Sequence, residues 1–256
     1  MLSKNRIKYV RSLEMKKYRK VNGVFVAEGH KLVGDLLKVF ECQYIAATKE
    51  WIEKHEEETK NGVLCKTEMD EVTEEELKRI SFQETPQQVL AVFCQPQYDV
   101  DVNRVTKESL CLMLDDVQNP GNLGTIVRLA DWFGIEHIFC SFGCADIYNP
   151  KTVQATMGGM ARVKVHYADL PTLLASLDKD VPVFGTFLDG ENLYKKELAS
   201  HGIIVMGNEG KGVSKEVESF VTERLYIPNY PAGKETSESL NVAIATAIVC
   251  AEFRRR

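Results

Sequence analysis

The sequence predicts an α/β protein in two units: a smaller α/β unit first, then a larger one whose mostly parallel sheet is covered by helices on both faces. Three observations carry this. Short apolar runs alternate with helical periods along the whole chain. The runs of the second half are near-continuously apolar, LCLML at 110–114 and IIVM at 203–206 without any charge, as befits strands buried on both faces. Between the halves, QPQYDVDVNRVTKE (95–108) breaks both periods with Pro, Asp and Asn. The 256 residues therefore divide into 1–95, a linker over 96–108, and 109–256.

Within the first unit, VFVAE (24–28) reads as a strand, followed by Gly29 and an amphipathic helix through Leu32, Leu36, Leu37 and Phe40. Residues 44–48 predict a second strand, 49–58 a charged helix, 63–66 a third strand, 70–80 a helix and 89–94 a fourth strand. In the second unit the strand at 110–114 leads into a helix over 123–133. Further strands are expected at 137–140, 163–166, 183–187, 203–206 and 225–227, with helices between them. A last helix is expected over 239–254. Ala243, Ala245, Ala247 and Ala251 give it close-packing faces and its apolar positions nearly encircle it, so it should be buried against the sheet or a partner subunit.

Composition excludes several classes. Hydrophobic residues make up 44% and charged residues 27%, which rules out collagen-like and disordered chains. No stretch approaches the roughly 20 apolar residues of a membrane span, and the first 20 residues contain no secretory apolar core. The seven cysteines are scattered and mostly sit in apolar runs, which reads as buried thiols in a reducing cytoplasm, with no disulfide frame and no CxxC spacing for zinc; no metal is expected. The net charge of −5 hides an asymmetry. Residues 50–84 hold twelve acids against five bases, whereas 1–20 hold Lys4, Arg6, Lys8, Arg11, Lys16, Lys17, Arg19 and Lys20 against Glu14 alone. That arm is either a solvated helical face or a phosphate-binding surface.

In parallel sheets, ligands bind beyond the carboxyl ends of strands, and three such loops stand out. DDVQNPGNLGTIVRLADWFG (115–134) brings Asn122, a good helix N-cap, and Arg128, either paired with Asp131 or presenting its fork to a phosphate. GNEGKGVS (207–214) has a GxxGxG spacing that fits neither a Walker loop nor a dinucleotide fingerprint, and Glu209 inside it would repel phosphates and suit a neutral or cationic moiety. PNYPAGKETSESLNVAIA (228–245) brings Ser239 and Asn241 to the start of the last helix. His30, His55, His137, His166 and His201 all lie outside these segments and read as structural or surface residues.

Together, NPGNLGTIVRLADWFG, IVMGNEGKGVS and IPNYPAGKETSESLNVAIATAIV closely resemble the three motifs of the SpoU (TrmH-like) family of SPOUT-superfamily RNA methyltransferases, in the family's order. The segment KNRIKYVRSLEMKKYRKVNGVFVAEGHKLV resembles the start of that family's ribosomal-protein-like substrate-binding domain, so the resemblance covers nearly the whole chain. One departure is a loop between Pro228 and Ser239 that is a few residues longer than the family's spacing.

The resemblance implies a trefoil-knotted second unit, S-adenosylmethionine as methyl donor, RNA as partner and a homodimer in the cytoplasm. It implies cofactor contacts at Gly207, Ile227 and Leu240, with Asn208 and Gly212 of the same glycine loop, and catalytic roles for Asn122, Arg128, Glu209, Ser239 and Asn241. The implied reaction methylates a ribose 2′-hydroxyl, in ribosomal RNA ahead of transfer RNA because of the extra N-terminal domain. The alternatives are a tRNA ribose methyltransferase and a non-catalytic ribosome-assembly protein of the same fold. The joint presence of Arg128, Glu209, Ser239 and Asn241 disfavours the second. A guanidinium stays protonated in proteins, so Arg128 is expected to anchor a phosphate and stabilise the developing alkoxide, with proton acceptance left open.

Overall fold

The computed structural model describes residues 2–55, 67–231, 234 and 239–255; the strand expected over 63–66 lies outside them. The chain forms two compact units, Met1–Gln97 with Asp146–Ala161, and Tyr98–Ala145 with Arg162–Arg256.

In the first unit, β1 (Val24–Glu28), β2 (Cys42–Ala47), β3 (Glu68–Glu71) and β4 (Val89–Cys94) form a sheet in the order β1-β4-β2-β3. Its pairs are antiparallel except β2 with β3. Because β3 takes residues 68–71, the helix expected from residue 70 starts at Glu74, on a capping box in which Thr73 and Glu76 satisfy each other's backbone N–H. One face of the sheet packs Val26, Tyr44, Leu90 and Val92 against Val10, Leu13, Leu77 and Ile80 of the flanking helices.

The edge strand β1 is nonetheless buried along its length, because helix Pro150–Ala155 packs against it. The contacts that hold 146–161 to this unit include an ion pair, a ring stack and an amide hydrogen bond. Arg19 Nη2 pairs with Asp146 Oδ2 at 2.6 Å, Tyr148 stacks on Phe25 with centroids 5.2 Å apart, and Gln83 Nε2 donates to Gln154 Oε1 at 2.9 Å. The expected span 109–256 therefore gives up this stretch to the first unit.

The basic arm separates into two kinds of residue. Arg19 is buried, and its Nη1 donates to the Leu13 and Glu14 carbonyls. Arg6 binds Glu68 and lies over the Tyr44 ring, and Arg11 Nη1 donates to the Ser81 carbonyl. These arginines hold the fold together. Lys4, Lys8, Lys16, Lys17 and Lys20 are exposed.

In the second unit, the expected linker 96–108 carries structure of its own, a helix over Val102–Glu108 capped by Asp101. The strands β5 (Leu110–Leu114), β6 (His137–Cys140), β7 (Lys164–Tyr167), β8 (Val183–Asn192), β9 (Gly202–Met206) and β10 (Glu223–Tyr226) form one sheet in the order β10-β8-β9-β5-β6-β7. Every pairing is parallel, so all carboxyl ends lie along one edge. The chain builds outward from β5 through β6 to β7 and later returns to the other side of β5 with β9. The β5/β9 junction is therefore the reversal point, where open parallel sheets place their ligand crevice. Cys111, Met113, Phe139, Ile203 and Val205 fill one face of the sheet, and helices Pro120–Trp132 and Val242–Arg255 pack on each other. Among the described residues no helix is long and apolar enough to cross a membrane.

Candidate active site

Register pairs Leu114 of β5 with Met206 of β9, so the loops leaving these strands start side by side. The Asp115 N–H donates to the Met206 carbonyl at 2.9 Å, and the buried Asp115 carboxylate accepts from the Ser214 N–H at 2.7 Å. Asp116 adopts a left-handed conformation (φ 61°), which aspartate tolerates better than most residues. This turns its carbonyl to accept from Asn208 Nδ2 at 2.8 Å. Asn208 Oδ1 accepts in turn from the N–H groups of Gly210 and Lys211 at 2.9 and 3.0 Å.

The same loop folds back on itself through mutual backbone hydrogen bonds between Asn208 and Gly212, at 2.9 and 3.0 Å. The fold-back is tight enough that a Cβ on Gly207 would lie 2.3 Å from the Gly212 carbonyl carbon, and Gly212 itself has φ 71° with open space around it. The glycines are therefore required here by close backbone approach and by positive φ.

The helix after the first loop begins at Pro120, three residues earlier than a cap at Asn122 would allow. Asn119 is the N-cap, its Oδ1 accepting from the N–H groups of Gly121 and Asn122, with Pro120 in the first helical position. Asn122 is freed for a different task. Its Nδ2 donates to Glu209 Oε1 at 2.8 Å, and its Oδ1 accepts from Asn241 Nδ2 at 3.1 Å. Asn241 caps the last helix with its own Oδ1, which accepts from the N–H groups of Ala243 and Ile244. That helix accordingly runs over Val242–Arg255, with 239–241 outside it. A single polar chain, Asn241 to Asn122 to Glu209, thus joins residues separated by 119 and 87 positions.

The other expected residues form no hydrogen bond to this chain among the described residues. Arg128 is exposed and forms no ion pair among the described residues; Asp131, its expected alternative partner, is held bidentately by Arg162 at 2.6 and 2.7 Å. Arg128 stands six positions from Asn122, about 9 Å along a helix axis. Ser239 and Leu240 are exposed just before Asn241, and Ile227 is half-buried just after β10. Among the described residues no group of three or more His, Cys, Asp or Glu could hold a metal ion.

Asp115, Asp116 and Asn119, which brace and cap these loops, are the positions to which sequence reasoning gave no role. An acidic doublet directly after an uncharged strand, and an Asn-Pro pair opening a helix, were the available signals. The arrangement offers a half-buried carboxylate, open glycine backbone, apolar Ile227 and Leu240, and an uncommitted guanidinium. Such a set suits a ligand carrying apolar and cationic parts beside a second, anionic one.

Comparison with known proteins agrees. A family model described as the SpoU rRNA Methylase family matches residues 109–251, and one described as the MRM3-like substrate binding domain matches residues 4–91. The chain is 31% identical over 255 residues to the 23S rRNA (guanosine(2553)-2'-O)-methyltransferase RlmP of Bacillus subtilis, covering 97% of this chain and 96% of that protein. Among solved structures, a TrmH-family protein from Porphyromonas gingivalis matches with a TM-score of 0.87 and 43% identity, over 100% of this chain and 99% of that one. An AdoMet-bound rRNA methyltransferase from Sinorhizobium meliloti matches with a TM-score of 0.85 and 28% identity, over 100% and 96%. The chain, with its α/β fold, parallel second sheet and three converging loops, belongs to the SpoU rRNA methylase family.

Proposed function

We propose that this protein is an S-adenosylmethionine-dependent methyltransferase acting on a ribose 2′-hydroxyl of ribosomal RNA. The observation that carries the reading is the polar chain Asn241–Asn122–Glu209, which ties the three loops together at the reversal point of the sheet. Similarity to RlmP along the whole chain supports ribosomal RNA as the substrate.

Gly207, Asn208, Gly212, Ile227 and Leu240 would hold the cofactor, which supplies a methyl group activated on a sulfonium. The fit rests on this chain's own residues: Gly207 lets the loop fold back tightly, Gly212 has open space around its backbone, Ile227 and Leu240 are apolar, and the Glu209 carboxylate favours a cationic neighbour. Asn122 and Asn241 fix that carboxylate in place, so it need not reorganise when charge is nearby. Ser239, on the exposed turn before Asn241, is available to orient the nucleotide. Arg128 would anchor the RNA phosphate and stabilise the negative charge that develops on the ribose oxygen.

Exposed Trp132, Leu240 and Ile244 lie on or beside two packed helices, an apolar surface that supports a homodimer. The reading carries with it the trefoil knot of the family and a cytoplasmic location. Ribose-methylation mapping of RNA from a deletion strain tests the function. The expected result is loss of a 2′-O-methyl group in ribosomal RNA, restored by the wild-type gene. Unchanged ribosomal RNA, or loss confined to transfer RNA, would overturn it.

A further inference from the structure

The first unit contains a cavity of about 460 Å³ that the reaction does not use. It is lined by Val26, Glu28, Phe82, Gln83, Lys151 and Gln154, among others. One wall is the free edge of β1. The Gln95 N–H donates to the Gly23 carbonyl and the Gly29 N–H to the Val89 carbonyl, so the odd-numbered residues of β1 exchange hydrogen bonds with β4. By the alternation of antiparallel pairing, Val26 and Glu28 turn their backbone N–H and C=O groups to the free edge.

The Glu28 side chain is held at the same wall, Oε1 accepting from the Phe82 N–H at 2.8 Å and Oε2 from the Ser81 hydroxyl. Two bonds leave about half of a carboxylate's acceptor capacity unused. Burial pushes this carboxyl above the ordinary value, against the opposing hydrogen bonds of Ser81 and Phe82. Across the cavity Gln83 Nε2 donates to Gln154 Oε1, so that Gln83 Oε1 and Gln154 Nε2 are not used by this bond. The exposed Lys151 adds a cation at the rim.

We infer that this cavity binds one unpaired RNA nucleotide, with preference for guanine, as a recognition site distinct from the ribose that is methylated. The inference rests on the proposed RNA substrate. Unpaired bases are read by stacking on an aromatic ring and by hydrogen bonds to their edges. Phe82, whose ring packs on the core and carries the Arg11 guanidinium 5.1 Å from its centroid, supplies an apolar wall. The hydrogen bonds carry the preference: guanine's adjacent N1–H and N2–H donors match the two open positions of Glu28, a match no other base makes twice. The amides and the β1 edge offer further donors and acceptors, and Lys151 meets the phosphate. A peptide strand would also seek a free edge, but helix Pro150–Ala155 packs against β1 and leaves room for a compact ligand only.

The test titrates full-length protein with GMP, AMP, CMP and UMP, following the side-chain amides of Gln83 and Gln154 by NMR. GMP should shift both amides saturably and bind at least about fivefold tighter than the other three. Gln154→Leu and Lys151→Glu should each weaken GMP about fivefold, and both should raise the KM for ribosomal RNA while leaving S-adenosylmethionine affinity unchanged. No shift at millimolar GMP, or equal shifts with inorganic phosphate, would overturn the site. An unchanged KM in both variants would overturn its role in recognition while leaving the methyltransferase reading intact. GMP binding without ribosomal RNA methylation would uphold the site and overturn the function instead.

Discussion

In the first unit the most deeply buried ion pair among the described residues, Arg19 with Asp146, ties an early helix to a segment 127 residues away. In the second unit several long-range polar contacts, Asn241 to Asn122 to Glu209 and Ser214 to Asp115, gather at the loops that follow β5 and β9, and Arg128, on the helix that follows β5, forms no ion pair among the described residues. The same types of side chain serve as braces in one unit and as a preorganised site in the other. What separates them is topology. Only an all-parallel sheet collects strand ends on one edge, whereas the mixed sheet of the first unit scatters them. A charged residue's role is therefore set by where its element ends, more than by the charge itself.

The largest effect should come from breaking a brace. Asp146→Ala leaves Arg19 buried without its counter-charge, a loss of about 3–5 kcal/mol, which a urea denaturation series would read as a clear drop in midpoint. A change within about 0.5 kcal/mol would mean that the pair is not a brace. Asn122→Ala should behave in the opposite way. It is expected to cost about 1 kcal/mol of stability, one lost hydrogen-bonding partner, but to lower kcat for ribosomal RNA about tenfold or more, because Glu209 and Asn241 lose their common link. Equal effects on kcat from Asn122→Ala and from an exposed control would remove the distinction between site and brace.

A pH series sharpens the comparison within the second unit. His137 Nδ1 lies 3.1 Å from His166 Nε2, and burial, with the charges of His137 and Lys164, pushes His166 down to about 4. Burial lowers His137 as well. The unfolded chain therefore binds these protons more readily than the folded one. Stability should be complete above the ordinary imidazole value and should fall as pH drops from about 6.5 toward 4. His166→Phe should flatten that decline; an unchanged profile would show that other groups cause it.

The smallest effect is expected from the exposed lysines. Reversing Lys17 should weaken RNA binding uniformly across sequences and reduce the salt slope by about one. Deleting residues 1–95 is the poorer experiment, since it would also strip the sheet from helix Pro150–Ala155.

Much of this was legible in the sequence. Uncharged strands and the three loops each carry a local signal that physics translates directly. What was not legible depends on distant partners. Arg19 looks like its lysine neighbours until Asp146 is brought to it. Asn122 and Asn119 are equally good caps by composition, and the Pro120 between them decides, since proline favours the first helical position. The strand β3 reads EMDE, with no apolar alternation, and forms only because β2 offers it an edge. The segment 146–161 leaves the second unit without any shift in composition, drawn by Phe25, Arg19 and Gln83.

The central claim is that Arg128, the uncommitted guanidinium beside the joined loops, acts on the RNA during methyl transfer. It is tested by single-turnover transfer of a labelled methyl group to ribosomal RNA from a deletion strain, comparing wild type with Arg128→Ala and Arg128→Lys. The account predicts that wild type labels a ribose 2′-oxygen, that Arg128→Ala is slower by about a hundredfold or more with unchanged melting temperature and S-adenosylmethionine affinity, and that lysine rescues little because it cannot supply the two-pronged contact. Transfer by Arg128→Ala at the wild-type rate would contradict it.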